Sequence, residues 1–458
     1  MAALKNVSYG KQKSLNYVSY RKHMIDRETL KRVVAESLSA SLPDVIPRDV
    51  KVDLNSPSIV ALAGVRRAGK TYEMFSIMKA LVQQGVPRSR LLYVNFEDER
   101  LRGIGTDQLQ EVIDVYHELS GSKQDERPYL FLDEVQNAEG WEMWVRRLHD
   151  EGFRIFVTGS SSKLLSREIA TALAGRQITY LIFPFSFKEF LSAIRFNADP
   201  VSLYSRWGEV MGLVSAYLTY GGFPEVVLTR EEPTKLRLLS SYYDSIVFRD
   251  IVERYSVRDT NTLATLLRYA ASSYGNQFSS SKAYNYLKSN GIRVSKKTVD
   301  AYLDHAKSVF FLFELFKYSK GFKRSNQARR KAYLVDSGFA SLFGAQDWGR
   351  LLENAVFLEL QRMVANDPTL SVNYWSDGEE VDFALSRRGQ LVQAIQVTYE
   401  LSESNRKREL EPVVEVAGQT GAEPLLITYD RDGEEIYEGK RVKVISFARW
   451  ALRPFSER

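Results

Sequence analysis

The stretch "GVRRAGKT", Gly64 to Thr71, constrains this chain more than any other. The apolar run "SPSIVALA" precedes it and reads as a buried strand. "YEMFSIMKALVQQG" follows, with apolar residues at helical spacing and a closing glycine. A glycine-rich turn between a strand and a helix is the setting a phosphate cradle requires. Gly64 and Gly69 let the backbone fold tightly and turn its N–H groups inwards, with Ala68 between Arg67 and Gly69. Lys70 brings a point charge to the outer phosphates, and Thr71 offers a hydroxyl to Mg²⁺. The start of the helix, through Tyr72, adds its partial positive charge. Arg66 and Arg67 fall in the variable part of the pattern, where contact with phosphate and support of the loop both fit.

A second stretch, "RPYLFLDEVQ", supplies partners. Its apolar strand ends in Asp133 and Glu134. Asp133 would hold Mg²⁺ through water, and Glu134 would polarise the attacking water. "RLLYVNFEDERL" and "FRIFVTGSSSKLL" are further apolar runs that turn polar at one end, as strands of an open α/β nucleotide site do. Thr158 or Ser160 would sense the terminal phosphate, and Asn95 would hold Glu134 until it is needed. Ordinary turn chemistry after a strand is the competing reading for all three.

These motifs, with "LAGRQITYLIFPFSFKEFL" after them, stand in an order and spacing that resembles the AAA+ superfamily. Within it, the chain resembles the prokaryotic, archaeal-type ATPases that carry a DUF4143-type carboxyl-terminal domain. The resemblance implies a P-loop NTPase core with ATP and Mg²⁺ as ligands. It also implies that Arg176 of "LAGRQ" is either an arginine finger acting on a neighbouring subunit's ATP, in a homo-oligomer, or a surface ion pair. Gly221, Gly222 and Pro224 in "YLTYGGFPEVV" form a helix-breaking turn, and the resemblance implies that Pro224 sits near the adenine.

Composition narrows the classes. The chain has 458 residues, no cysteine and four histidines. Disulfides, cysteine-held metals and a thiol nucleophile are excluded, and a histidine-based zinc site is disfavoured. No run of about 18 apolar residues suggests a membrane span, the amino terminus lacks the apolar core of a secretory signal, and the expected location is the cytoplasm. A net charge of +6 favours an anionic partner, with nucleic acid first.

The expected organisation is an α/β fold in five parts. A helical segment and linker take residues 1–55, the ATPase core 56–185 and a helical lid 186–259. A winged helix takes 260–332, and an α/β domain that resembles restriction endonucleases takes 333–458. Lys296 and Lys297 open the third helix of the winged helix, where a recognition helix meets DNA. Its hairpin carries Lys317, Lys320, Lys323, Arg324, Arg329, Arg330 and Lys331, suited to phosphate contact. Protein docking is the alternative use. In the tail, Glu353 and Asp382 match two elements of a Mg²⁺-dependent nuclease, but Gln396 and Thr398 stand where an acid and a lysine are required. That departure favours a non-cutting tail. Three readings result: an ATPase coupled to DNA, a nucleotide-gated switch acting on a protein, and an ATP-gated nuclease.

Overall fold

Five apolar runs become strands β1 (Ile59–Ala63), β2 (Leu91–Asn95), β3 (Tyr129–Asp133), β4 (Arg154–Gly159) and β5 (Gln177–Leu181). They pair in parallel in the order β2-β3-β4-β1-β5. The computed structural model describes residues 24–121, 127–165, 167–319, 330–344 and 347–453. Because β4 lies between β1 and β3, its Thr158 end lies between the strand ends that carry the glycine-rich loop and the acidic pair. Asn95 and Asp133 stand level at the same edge. Helices Lys70–Gln83, Thr106–Ser120 and Trp141–Asp150 pack on the sheet through buried Met74, Met78, Leu109, Val112, Trp144 and Leu148.

The segment expected to be a linker does more. After helix Arg27–Ser39, the chain crosses the core as a strap. Arg48 pins it, 3.0 Å from Glu189 and donating to the carbonyls of Ala68 (3.1 Å) and Phe183 (2.6 Å).

The lid contains helices Phe187–Ala193, Pro200–Ser205, Trp207–Tyr220, Pro224–Leu228 and Glu232–Ser245. The last runs on into a π-helical turn, Ile246–Glu253. Gly221 ends one lid helix at φ 76°, and a Cβ there would meet Asp336 Oδ1 at 1.6 Å. The next N–H, of Gly222, donates to Asp336 Oδ2 at 2.7 Å. The glycine pair therefore docks the lid against the segment that opens the tail.

Helix Thr260–Ser272, short strand β6 (Gln277–Phe278), helices Ser280–Ser289 and Lys296–Ser308, and strands β7 (Leu312–Phe316) and β8 (Arg330–Leu334) follow. Their antiparallel sheet has the order β6-β8-β7, and this helix, strand, helix, helix, hairpin succession makes up the segment expected to be a winged helix. The expected boundary after residue 332 falls inside β8, so Tyr333 and Leu334 belong to the hairpin.

In the tail, helix Trp348–Asn366 leads into strands β9 (Leu370–Trp375), β10 (Val381–Arg387) and β11 (Gln390–Val397). Helix Arg406–Thr420 then connects to β12 (Glu423–Thr428), β13 (Gly433–Tyr437) and β14 (Lys440–Ser446). β9, β10 and β11 are antiparallel neighbours, and β12 pairs with β11 in parallel. Tail and lid share apolar core, since the rings of Phe187 and Tyr217 meet that of Phe447. Among the described residues, no helix is long and apolar enough to cross a membrane.

Candidate functional site

The carboxyl edge of the first sheet opens into a cavity of about 870 Å³, within the range of small-ligand and cofactor sites. Lys70, Thr71, Asp133 and Glu134 line it, and so do Arg66, Arg67, Gly69, Tyr72 and Asn95. The lid contributes Pro224, Leu228, Tyr242 and Arg249, and the strap contributes Ile46 and Arg48.

The loop takes its shape from its glycines. A Cβ at Gly64 would lie 2.1 Å from the Ile182 carbonyl oxygen, and Gly69 adopts φ 98°. Lys70 is buried and donates to the carbonyls of Gly64 and Val65, both at 3.2 Å. Its ammonium is also 3.3 Å from Glu134 Oε1. Ala68 supports the loop through its carbonyl, which Arg48 holds. Arg67 (φ 69°) lies over the Tyr242 ring.

The adjacent carboxylates have different surroundings. Asp133 accepts from Thr71 Oγ1 at 2.7 Å, from Tyr93 OH at 2.8 Å and from Thr158 Oγ1. Burial raises its carboxyl pKa above the ordinary value. Burial also works on Glu134, but the Lys70 charge and the Gln136 amide hold that carboxyl down to about 2. Glu134 is therefore a buried anion at neutral pH. Its backbone is left-handed at φ 49°, a conformation that costs a non-glycine residue about 1–3 kcal/mol and gathers at functional sites.

Several expected roles change. Asn95 accepts from its own turn, at the Glu97 N–H (2.8 Å), and does not hold Glu134; Gln136 and Lys70 do. Thr158 lies behind the acidic pair, donating to Asp133 and accepting the Glu134 N–H at 2.8 Å. Ser160 is buried and accepts from Arg254 at 3.4 Å. Arg176 lies at the other edge of the sheet, 2.9 Å from Asp150, and is not among the residues lining the cavity.

Residues from distant segments complete the wall. Arg66 donates to Asp250 (3.1 Å) and to Glu97 (3.0 Å). Arg249 reaches the same Glu97 oxygen at 3.0 Å and is about half exposed. The π-helical turn thus presents Arg249 and Asp250, and Arg254 just after it, to the loop and the strand edge; such turns are frequent at functional sites. Tyr93 was legible only by register, since it lies two residues before Asn95 on the same face of β2.

The residues present fit a nucleotide with its metal. A buried ammonium beside a glycine-shaped loop and a hydroxyl aligned on a carboxylate are groups that a triphosphate and Mg²⁺ demand.

The chain matches the family described as AAA domain (AAA_14) over residues 56–191. It is also 35% identical over 444 residues to "Uncharacterized protein MJ1544" of Methanocaldococcus jannaschii, spanning 94% of this chain and 96% of that protein. The chain belongs to the MJ1544 family of AAA-domain proteins. A Haemophilus influenzae protein is 34% identical, over 77% of this chain and 85% of its own length. Residues 211–347 of this family member match DUF8612, a domain of unknown function, which covers much of the expected lid and winged-helix regions rather than the expected DUF4143-type tail. Among solved structures, "The walker-type atpase paby2304 of pyrococcus abyssi" aligns with 71% of this chain and 97% of its own, at 16% identity and a TM-score of 0.40.

The other expected sites lie further along the chain. Lys296 and Lys297 are exposed in the first turn of their helix. Lys320, Lys323, Arg324 and Arg329 lie outside the described residues. Three other hairpin cations face protein: Lys317 is 2.6 Å from Asp377, Arg330 is 2.6 Å from Glu314, and Lys331 is buried against carboxylates. Tyr318 stacks on Trp375 at 5.4 Å. Glu353 and Asp382 do come together. Gln396 turns aside, accepting the Asp382 N–H and donating to Glu409, both at 3.2 Å, and Thr398 donates to the Glu400 carbonyl at 3.1 Å.

Proposed function

We propose that the protein binds ATP with Mg²⁺ in the cavity between core, strap and lid, hydrolyses it, and couples the nucleotide state to DNA held by the winged helix. The observation that carries this is the pair of neighbouring carboxylates in unlike surroundings beside Lys70. One is buried among hydroxyl donors next to Thr71; the other is an anion held by an ammonium. Two titratable groups pushed apart by their surroundings are a sign of assigned acid–base roles.

Thr71 and Asp133 would hold Mg²⁺, which when bound neutralises phosphate charge. Lys70 now shares its ammonium between loop carbonyls and Glu134. A triphosphate draws that ammonium to itself and frees Glu134 to take a proton from the attacking water. Arg66 and Arg249 are the cations placed for the terminal phosphate, and both come from the same chain. Arg176, far from its own cavity and paired with Asp150, is an edge ion pair in this reading.

Transmission runs through the lid, because Pro224, Leu228, Tyr242 and Arg249 line the cavity while Gly221 and Gly222 dock on Asp336. Exposed Lys296 and Lys297 support DNA as the partner. Cations in the first turn oppose the helix dipole unless an anion lies there. The order of the tail's first elements, with three antiparallel strands between helices and then a parallel strand, supports the restriction-endonuclease-like reading, with binding rather than cutting as its role. The test is ATP turnover with and without duplex DNA. Stimulation by DNA is expected, and turnover indifferent to DNA would favour a protein partner instead.

A further inference from the structure

Three carboxylates of the tail close around one ammonium that belongs to the winged helix. Lys331 stands on β8, between β6 and β7, and is almost wholly buried. Its Nζ lies 2.9 Å from Asp382 Oδ1, 2.9 Å from Glu380 Oε1 and 3.2 Å from Glu353 Oε1. An ammonium has three hydrogens to donate, and each has a carboxylate to receive it. Tyr333, on the same face of β8, donates its hydroxyl to Glu353 Oε1 at 2.6 Å.

We propose that Lys331 is the resident cation of this cluster, standing where a nuclease of this architecture would hold a divalent metal, and that the cluster is an ionic joint fastening the winged helix to the tail.

While Lys331 is present, the residues around the cluster do not fit a metal. Asp382 Oδ1 faces the ammonium, and its Oδ2 accepts the Val397 N–H at 3.1 Å. Gln396 takes no part in the cluster: it accepts the Asp382 N–H and donates to Glu409. Among the described residues, no group of three or more His, Cys, Asp or Glu is arranged to hold a metal ion. Lys331, Glu353 and Asp382 are largely buried, while Glu380 stays partly exposed at the rim. A Cβ on Gly275 would lie 3.2 Å from Glu353 Oε2, and Gln277 of β6 donates to Glu380 Oε2 at 3.1 Å.

The joint has a second fastening nearby. The Tyr318 N–H donates to the Tyr374 carbonyl at 2.7 Å, and Lys317 donates to the Ser376 carbonyl at 2.9 Å. Two consecutive residues after β7 are thus bonded to the end of β9 and the residue beyond it. Winged helix and tail move as one unit in this arrangement.

The inference rests on the non-cutting reading of the tail, so metal uptake and strand cleavage are measured separately. The probe is Mn²⁺, followed by electron paramagnetic resonance of the free ion, on full-length protein carrying Asp133→Asn to silence the nucleotide site. With Lys331 present, uptake should match that of the same protein with Asp382→Asn added. Lys331→Met should gain a Mn²⁺ site that Asp382→Asn abolishes. Uptake that needs Asp382 while Lys331 is present overturns the proposal, as does a folded Lys331→Met protein that gains no site. Should Lys331→Met fail to fold, thermal melts of the Lys331 protein decide: no shift with Mn²⁺ is expected, and a shift that depends on Asp382 overturns it. Nicking of supercoiled plasmid tests the non-cutting reading alone. Metal bound without nicking sinks the lysine assignment and leaves that reading standing.

Discussion

Replacing Glu134 by glutamine keeps the shape of the side chain and removes its charge. In the structure that charge faces the Lys70 ammonium at 3.3 Å, with both side chains nearly buried. At an effective dielectric constant of about 20, the attraction is about 5 kcal/mol. Desolvation offsets most of it, leaving about 1–2 kcal/mol that binding phosphate must displace. Glu134→Gln should therefore bind ATP about tenfold more tightly, since 1.4 kcal/mol is a factor of ten. It should also turn ATP over roughly 10²–10⁴-fold more slowly, because an amide takes no proton from water. Fluorescent-nucleotide titration measures the first effect and single-turnover hydrolysis the second. Wild-type turnover would refute the role of Glu134 as base. Weakened ATP binding would refute the competition between carboxylate and phosphate for Lys70.

Other consequences follow from the same geometry. Arg249→Ala should lower turnover about 10²-fold or more, and mixing it with Lys70→Ala protein should restore nothing, because both groups act within one chain; restored activity would place Arg249 at a neighbour's site. Burial pushes the Glu73 carboxyl up to about 7, from an ordinary value of 4.5. Folded protein then binds more protons than unfolded between those values, so this group's contribution falls by about 3 kcal/mol as pH rises from 4.5 to 7. Thermal melts across that range should show a flatter profile for Glu73→Gln, and an unchanged profile would remove Glu73 as the cause. Reversing both exposed lysines, Lys296→Glu with Lys297→Glu, should weaken duplex binding in fluorescence anisotropy and lower the salt slope by about 2; unchanged affinity would move the contact elsewhere.

The phosphate loop and acidic pair were legible because their chemistry is local. Strand, turn and cation fall within a dozen residues, and the polar ends of β3 and β4 mark which edge of the sheet is used. Partners far away in sequence were not legible. Arg66 meets Asp250 across 184 positions, and no spacing rule foretells that pair. Arg48 looked like part of a linker because its neighbours are prolines and charges, yet three contacts tie it to the core and the lid. The hairpin cations show the converse. A run without acids between Lys317 and Lys331 reads as a free basic surface, but the compensating carboxylates come from other elements. Alternation along β8 turns Lys331 inward to Asp382, and its neighbour Arg330 pairs with Glu314. Glu353 and Asp382 were found by pattern, but the cation between them was invisible because it comes from another module.

The most direct test is calorimetric titration of Mg²⁺-ATP into the full-length protein and into Lys70→Ala. One site per chain, lost with the lysine, is the expected result. No binding by the unaltered protein, or binding that survives Lys70→Ala undiminished, would contradict the assignment of the cavity.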